Sequence, residues 1–278
     1  MPRWAQWALV IASLVYALLY ARFEWGGAAA YLLALLPVVL VYMVSGTWLA
    51  SAFMILLPVY FFIGRWTERF PHHQPFTWLD RAMPLRPSWI AVYASLYMCA
   101  FILPLVVVRG RELFRQAMKA YLFVMLVSYA GFWFYPTVAP RVDRAVVNDF
   151  AEWMLQLFYD IDQPYGCFPS LHVAYSFVGA LAVYRVHRRV GAAAVVWSVL
   201  IGLSTVYTKQ HFAVDAIAGG ILGVAAYWLF LAGRPRVPVE DSARRLAPRG
   251  AMLVAAAYAG AIGVFWIAYR LGLGTPSR

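Results

Sequence analysis

The stretch "CFPSLHVAYSFVGALAVYRVHRRVGAAAVVWSVLIGLSTVYTKQHFAVDAIAGG", residues 167–220, decides the fold. It reads as an apolar helix over 171–185, a tight basic turn at 185–191, a second apolar helix over 191–208, and the start of a third at 212. Backbone polar groups in hydrocarbon must be satisfied within the segment or in a closed barrel, and the ten-residue alternation of barrel strands is missing here. The 38 residues between His172 and His211 therefore read as one helix across a bilayer and one helix back. Both rings return to the same membrane surface, each at the mouth of a helix.

The rest of the chain extends that pattern. Of 278 residues, 64% are hydrophobic and 13% are charged, about half the charged share of an ordinary soluble domain. Apolar runs, each long enough to cross roughly 30 Å of hydrocarbon, fall at about 4–20, 29–44, 48–64, 88–108, 119–135, 171–185, 191–208, 212–231 and 251–269. The expected fold is all-α, a polytopic transmembrane helical bundle of about nine spans. Its organisation reads as N-terminal helices over 1–64, a core over 65–232, and a basic loop with a last helix over 233–278. Polar connections at 65–87, 136–170 and 232–250 are long enough to carry chemistry. Arg3 and the alanines at 28–30 would suit a cleaved signal peptide, but the run over 4–20 is long for one and carries aromatic residues at both ends, so a retained anchor is expected.

The net charge of +11 does not point to nucleic acid, because the arginines sit in short loops between apolar runs rather than among aromatic residues on one surface. Membrane lipids and topology explain them better. Around the later spans one face carries Arg109, Arg111, Arg115, Lys119, Arg185, Arg188, Arg189, Arg234, Arg236, Arg244, Arg245 and Arg249, against Arg141, Arg144 and Lys209 opposite. Lysine and arginine favour the cytoplasmic side, so the face bearing His172 and His211 is expected to point away from the cytoplasm, in an inner or plasma membrane. The two cysteines, Cys99 and Cys167, form neither a disulfide framework nor a paired metal-ligand spacing; no metal and no cofactor is expected.

His211 and Asp215 lie four residues apart, one turn along the same helix face. A carboxylate there can take the proton of one ring nitrogen and leave the other nitrogen as a nucleophile. Ser170 and Lys209 stand beside the two rings just before helical starts, where unpaired N–H groups and the positive end of the helix dipole favour a phosphate. An aspartate inside an apolar helix is expensive to bury and is a functional residue by default.

These residues carry a resemblance to the type 2 phosphatidic acid phosphatase superfamily, and within it to the branch that looks like inositol phosphorylceramide synthase. The superfamily's Pro-Ser-Gly-His motif matches Pro169-Ser170-Leu171-His172, and its Ser-Arg-x5-His-x3-Asp motif matches Ser204-Thr205, His211 and Asp215. The resemblance covers roughly residues 85–232 and implies a six-helix phosphatase-like core. It also implies metal-independent phosphoryl transfer from a lipid phosphate: His211 attacks phosphorus, Asp215 orients it, and His172 protonates the departing oxygen and then activates the acceptor. That acceptor is water or an alcohol, lipid or polyol. Leu171 stands for the family glycine, as in the synthase-like branch, and Thr205 for its arginine, whose charge Lys209 is expected to restore. The first motif, Lys-x6-Arg-Pro, is not present as such: Arg86-Pro87 has Leu79 where lysine belongs. Arg141, in the connection leading to the second motif, is the preferred replacement in the phosphate site.

Apolar positions 147, 150, 151, 154, 157 and 158 form a helical stripe, expected to lie flat at the interface or to serve as a packed connector. Asp160 and Asp162 could touch a polyol acceptor or a metal, but two acids alone read more simply as solvated loop acids. A proton-coupled transporter using the His/Asp cluster as a relay is the alternative from another class; it predicts charges deeper in the spans and repeated halves, and neither is visible.

Overall fold

The computed structural model of the chain describes residues 48–57, 59–142, 147–232 and 241–273. The chain forms two compact units, residues 1–66 and 67–278. Among the described residues the structure is helical with no strand, and isolated bridges join His73 to Thr137 and Val138 to Tyr165.

The first unit shows α1 (Trp48–Leu56) and the larger part of α2 (Val59–Thr67). The single span expected over 48–64 is thus two nine-residue helices, each about 14 Å long at 1.5 Å per residue and too short to cross a bilayer alone. The spans expected over 4–20 and 29–44, with the question of a retained anchor, lie outside the described residues.

The second unit continues with α3 (Trp78–Ala82), α4 (Pro87–Val107), α5 (Arg111–Phe134), α6 (Phe150–Ile161), α7 (Leu171–Val186), α8 (Arg188–Tyr207), α9 (Ala213–Ala232) and α10 (Asp241–Arg270). Five of these, α4, α5, α8, α9 and α10, are long and apolar enough to cross a membrane. Of the seven spans expected among the described residues, five are these long helices, that over 171–185 is the shorter α7, and that over 48–64 is the pair α1 and α2. This is an integral membrane protein. Ile217 and Ile221 on α9 and Met252, Leu253, Val264 and Ile267 on α10 are exposed, as residues that meet lipid chains would be.

α7 is the centre of the unit, packed by α4, α5, α8 and α9. Its sequence is apolar on all sides with no polar stripe, the pattern of a helix that neighbours surround completely. Sixteen residues give it about 24 Å, less than the bilayer core, because its N-terminus starts beneath the 136–170 connection. Thr137 pins that connection: its hydroxyl accepts the N–H groups of Cys167 and Phe168 at 2.9 and 3.0 Å. α9 approaches α7 most closely through Gly219 and Gly223, one turn apart. A Cβ on Gly219 would lie 2.3 Å from the Ser170 carbonyl oxygen, and one on Gly223 would lie 2.7 Å from that of Ala174. Small residues at this spacing let two backbones meet where hydrophobicity gives no drive for association.

α4 is interrupted by a π-turn at Met98–Ile102 followed by Pro104. The proline has no N–H for the carbonyl four residues back, that of Ala100, and this oxygen accepts instead from the Tyr121 hydroxyl on α5. α5 begins eight residues before the apolar run expected at 119, and α10 ten before that expected at 251. Both extensions are polar, with Arg111, Glu112 and Arg115 on α5 and Asp241, Arg244 and Arg245 on α10.

Candidate active site

Ser170 ends its segment in extended backbone and caps α7, its hydroxyl accepting the Val173 N–H at 3.4 Å. Its own N–H donates to the Asp215 carbonyl at 3.0 Å. Ser170 is fully buried, and the visible work of its side chain is to start the helix that carries His172. The His172 ring packs edge-on against Tyr93 of α4. Its Nδ1 lies 3.1 Å from Nε2 of His211, and its Nε2 lies 3.8 Å from Asp162 Oδ2. The Tyr93 hydroxyl donates to that same carboxylate oxygen at 3.3 Å.

Asp162 is therefore no solvated loop acid. It sits just past the end of α6, mostly buried, and backs the outer nitrogen of His172. α6 itself is a packed connector: Trp153, Met154, Leu155 and Phe158 are buried, and Phe158 meets Tyr93 edge-on. Asp149 caps its start by accepting the Glu152 N–H at 2.8 Å. Asp162 could not be found from sequence because nothing in "YDIDQPYG" distinguishes a loop acid from one turned inward by the packing of α6 on α4.

His211 is delivered by the end of α8. The helix stops in a Schellman turn, with Lys209 N–H donating to the Val206 carbonyl and Gln210 N–H to that of Thr205. Lys209 takes the left-handed conformation, φ 55°, where glycine is usual. His211 is buried, and its Nδ1 lies 3.7 Å from Asp215 Oδ2. That oxygen also accepts the Phe212 N–H at 2.9 Å, so Asp215 caps α9 while it faces the ring.

A second carboxylate completes this cap. Asp80 on α3 is buried and accepts the Ala213 N–H at 2.8 Å through Oδ1 and the Thr77 N–H at 2.7 Å through Oδ2. The free N–H groups expected at the start of α9 are thus already met by two protein anions. The Thr77-x-x-Asp80 spacing is a capping-box signature that sequence reading could have used. Lys209 reaches the same segment, with Nζ donating to the carbonyls of Met83 at 2.7 Å and Asp80 at 3.3 Å. Burial lowers its pKa from that of an ordinary lysine, and the Asp80 charge opposes the shift.

Arg141 stands at the rim of the histidine pair, but its terminal nitrogens are engaged. Nη1 donates to the carbonyls of Tyr159 and Asp162 at 2.8 and 2.9 Å, and Nη2 to the carbonyl of Gln163 and the Gln210 amide oxygen at 3.1 and 2.7 Å. It ties the end of α6 to the residue before His211. Arg86 is exposed, and its backbone N–H donates to the Tyr207 carbonyl at 2.9 Å, which anchors the start of α4 beside the Schellman turn.

The arrangement is a largely buried pair of imidazoles, each with a carboxylate facing its far nitrogen, at one end of a helical bundle. The family model of the PAP2 superfamily matches residues 66–229, well over half of the chain, and the chain belongs to that superfamily. A PA-phosphatase related-family protein of Dictyostelium discoideum is 27% identical over 161 residues, which are 56% of this chain and 24% of that protein. The chain thus matches about a quarter of that relative's length. No solved structure matches.

Proposed function

We propose that the chain cleaves a phosphate ester or diphosphate of a membrane lipid through a phosphohistidine on His211. The single observation that carries this reading is the line Asp162–His172–His211–Asp215, in which the inner nitrogens of the two rings face each other at 3.1 Å. Asp215 on Nδ1 leaves Nε2 of His211 with its lone pair, the nucleophile. Asp162 on Nε2 of His172 leaves Nδ1 as the atom that gives a proton to the departing oxygen and later takes one from the acceptor. Phosphorus cannot sit between nitrogens 3.1 Å apart, so substrate parts the rings. His172, the more exposed of the two, is the one that moves.

The charge on the phosphoryl oxygens is met by the Lys209 ammonium, with Arg141 adding its field from the rim, and the reaction needs no divalent metal. Ser170 supports the phosphate site by fixing the start of α7. The substrate arrives from the lipid phase, and the site faces away from the cytoplasm. The acceptor is water or an alcohol; Leu171 in the second motif, as in the inositol phosphorylceramide synthase-like branch, favours a hydroxyl. The transporter reading is not favoured: all four titratable groups lie at helix mouths at one end, and the family is named for phosphatases. The test is phosphate release from phosphatidic acid and a prenyl diphosphate by wild type and His211→Asn without divalent metal, repeated with diacylglycerol or ceramide as acceptor. Release or a new phospholipid, lost in the variant, supports the reading; silence in every arm sinks it.

A further inference from the structure

Cys167 lies beside the histidine pair with no part in the chemistry proposed for it. Its side chain is buried, and one ligand atom each from Cys167, His211 and Asp215 falls within 4.8 Å of the others. Two of the three residues hold buried atoms without a hydrogen-bond partner, Nδ1 of His211 and Oδ1 of Asp215, while the Cys167 thiol donates to the Pro164 carbonyl at 3.4 Å and lies 4.0 Å from that of Gln210. Unpartnered polar atoms on fully buried side chains are rare enough to need an account. A sulfur, an imidazole nitrogen and a carboxylate oxygen are the donors that a borderline-soft divalent cation takes together.

From this cluster we infer that Cys167, His211 and Asp215 form an inhibitory site for a thiophilic divalent cation of the zinc class. Metal bonds of about 2.0–2.3 Å require the widest pair of donors to draw in by roughly 1 Å, a movement within reach of side-chain rotation about Cys167. The Nδ1 proton leaves to solvent as Nε2 takes one up, the cation binds the lone pair so freed on Nδ1, the ring atom on the Asp215 side, and the Cys167 thiol gives up its proton to solvent. A neutral imidazole bound through Nδ1 carries its proton on Nε2. The nitrogen that would attack phosphorus then has no lone pair, and the cation has displaced Asp215 from its partner. Binding thus switches the nucleophile off by fixing the wrong tautomer. The inhibition rests on the proposed role of His211, whereas the binding rests on the three donors alone.

The experiment uses the purified full chain, stripped with a chelator, in wild-type, Cys167→Ala and Asp215→Asn forms. Cobalt(II) is titrated as a spectroscopic probe, and zinc is titrated against phosphate release, each rate expressed relative to that variant without zinc. Wild type is expected to show a sulfur-to-cobalt absorption band in the near ultraviolet that is lost in Cys167→Ala and weakened in Asp215→Asn. Zinc is expected to inhibit wild type at a concentration at least about 10-fold lower than Cys167→Ala, since losing a direct ligand costs no less than losing a supporting one. Equal zinc sensitivity in the two forms, stimulation by zinc, or no Cys167-dependent cobalt band overturns the site. If no substrate is turned over, the proposed function has failed, and the cobalt titration still decides the metal site by itself.

Discussion

Nδ1 of His172 lies 3.1 Å from Nε2 of His211, and the nitrogen that each ring turns outward faces a carboxylate, Asp162 on one side and Asp215 on the other. The two carboxylates reach the site from opposite directions. Asp215 sits in the first turn of α9, facing the ring of His211 in the turn just before that helix, while Asp162 is brought by α6, which packs against α4.

If Asp162 fixes the tautomer of His172, Asp162→Asn will lower kcat by about 10- to 100-fold and leave KM for the lipid nearly unchanged, and Asp162→Glu will restore part of the loss. A purely structural role for Asp162 would show as lost folded protein, read by thermal denaturation, with a normal kcat in what remains.

Lys209 tests charge against conformation. Its left-handed backbone suits glycine, so Lys209→Gly should be more stable than Lys209→Ala by about 1 kcal/mol. Both variants should lose activity alike through a raised KM. Equal activity in Lys209→Ala and wild type would remove the ammonium from the phosphate site. Because burial lowers the pKa of this lysine, the ammonium is lost at a lower pH than usual, and activity should fall on the alkaline side earlier than an ordinary lysine allows. Lys209→Arg should move that limb to higher pH.

Asp80 holds the first N–H of α9 from a buried position, and removing it leaves that donor and the Thr77 N–H without their acceptor. Asp80→Ala should cost about 1–3 kcal/mol of stability per orphaned donor, with Asp80→Asn costing less because one acceptor remains. The measurement is the thermal midpoint in detergent, with activity recorded on the folded fraction.

Gly219→Ala places a methyl group 2.3 Å from the Ser170 carbonyl and should force α9 away from α7, with loss of activity and of about 1–3 kcal/mol. Gly260→Ala, with nothing within 4 Å of its new carbon, is the matched control and should be neutral.

Much of this architecture can be read in the order of residues. The apolar runs at 88–108, 171–185, 191–208 and 212–231 lie within a few residues of α4, α7, α8 and α9, because hydrocarbon admits few ways to satisfy a backbone. The hairpin placing His172 and His211 together follows from the same rule. Run-based reading misses the polar ends of α5 and α10, since hydropathy reports only the part of a helix that meets lipid. It merges α1 and α2 for the converse reason: two short helices leave one continuous apolar run. Within the site, His211 and Asp215 do face each other as their four-residue spacing suggests, but across a helix start and not along one helix, because α9 begins only at Ala213 and Asp215 turns back from its first turn to cap it. Asp80 and Asp162 are not legible, because each reaches the site through a tertiary contact, and the engaged guanidinium of Arg141 is likewise set by carbonyls from other segments.

The central claim is the covalent use of His211, and trapping tests it most directly. Wild type, His172→Asn and His211→Asn would be mixed with a phosphate-labelled lipid substrate, quenched in alkali and examined for protein-bound phosphate that is stable to alkali and released by acid. The account predicts such label on wild type, label on His172→Asn when the substrate carries an aryl leaving group that needs no proton, and none on His211→Asn. Label of the same character on His211→Asn, or turnover of substrate by that variant at a rate within about 1,000-fold of wild type, would contradict it.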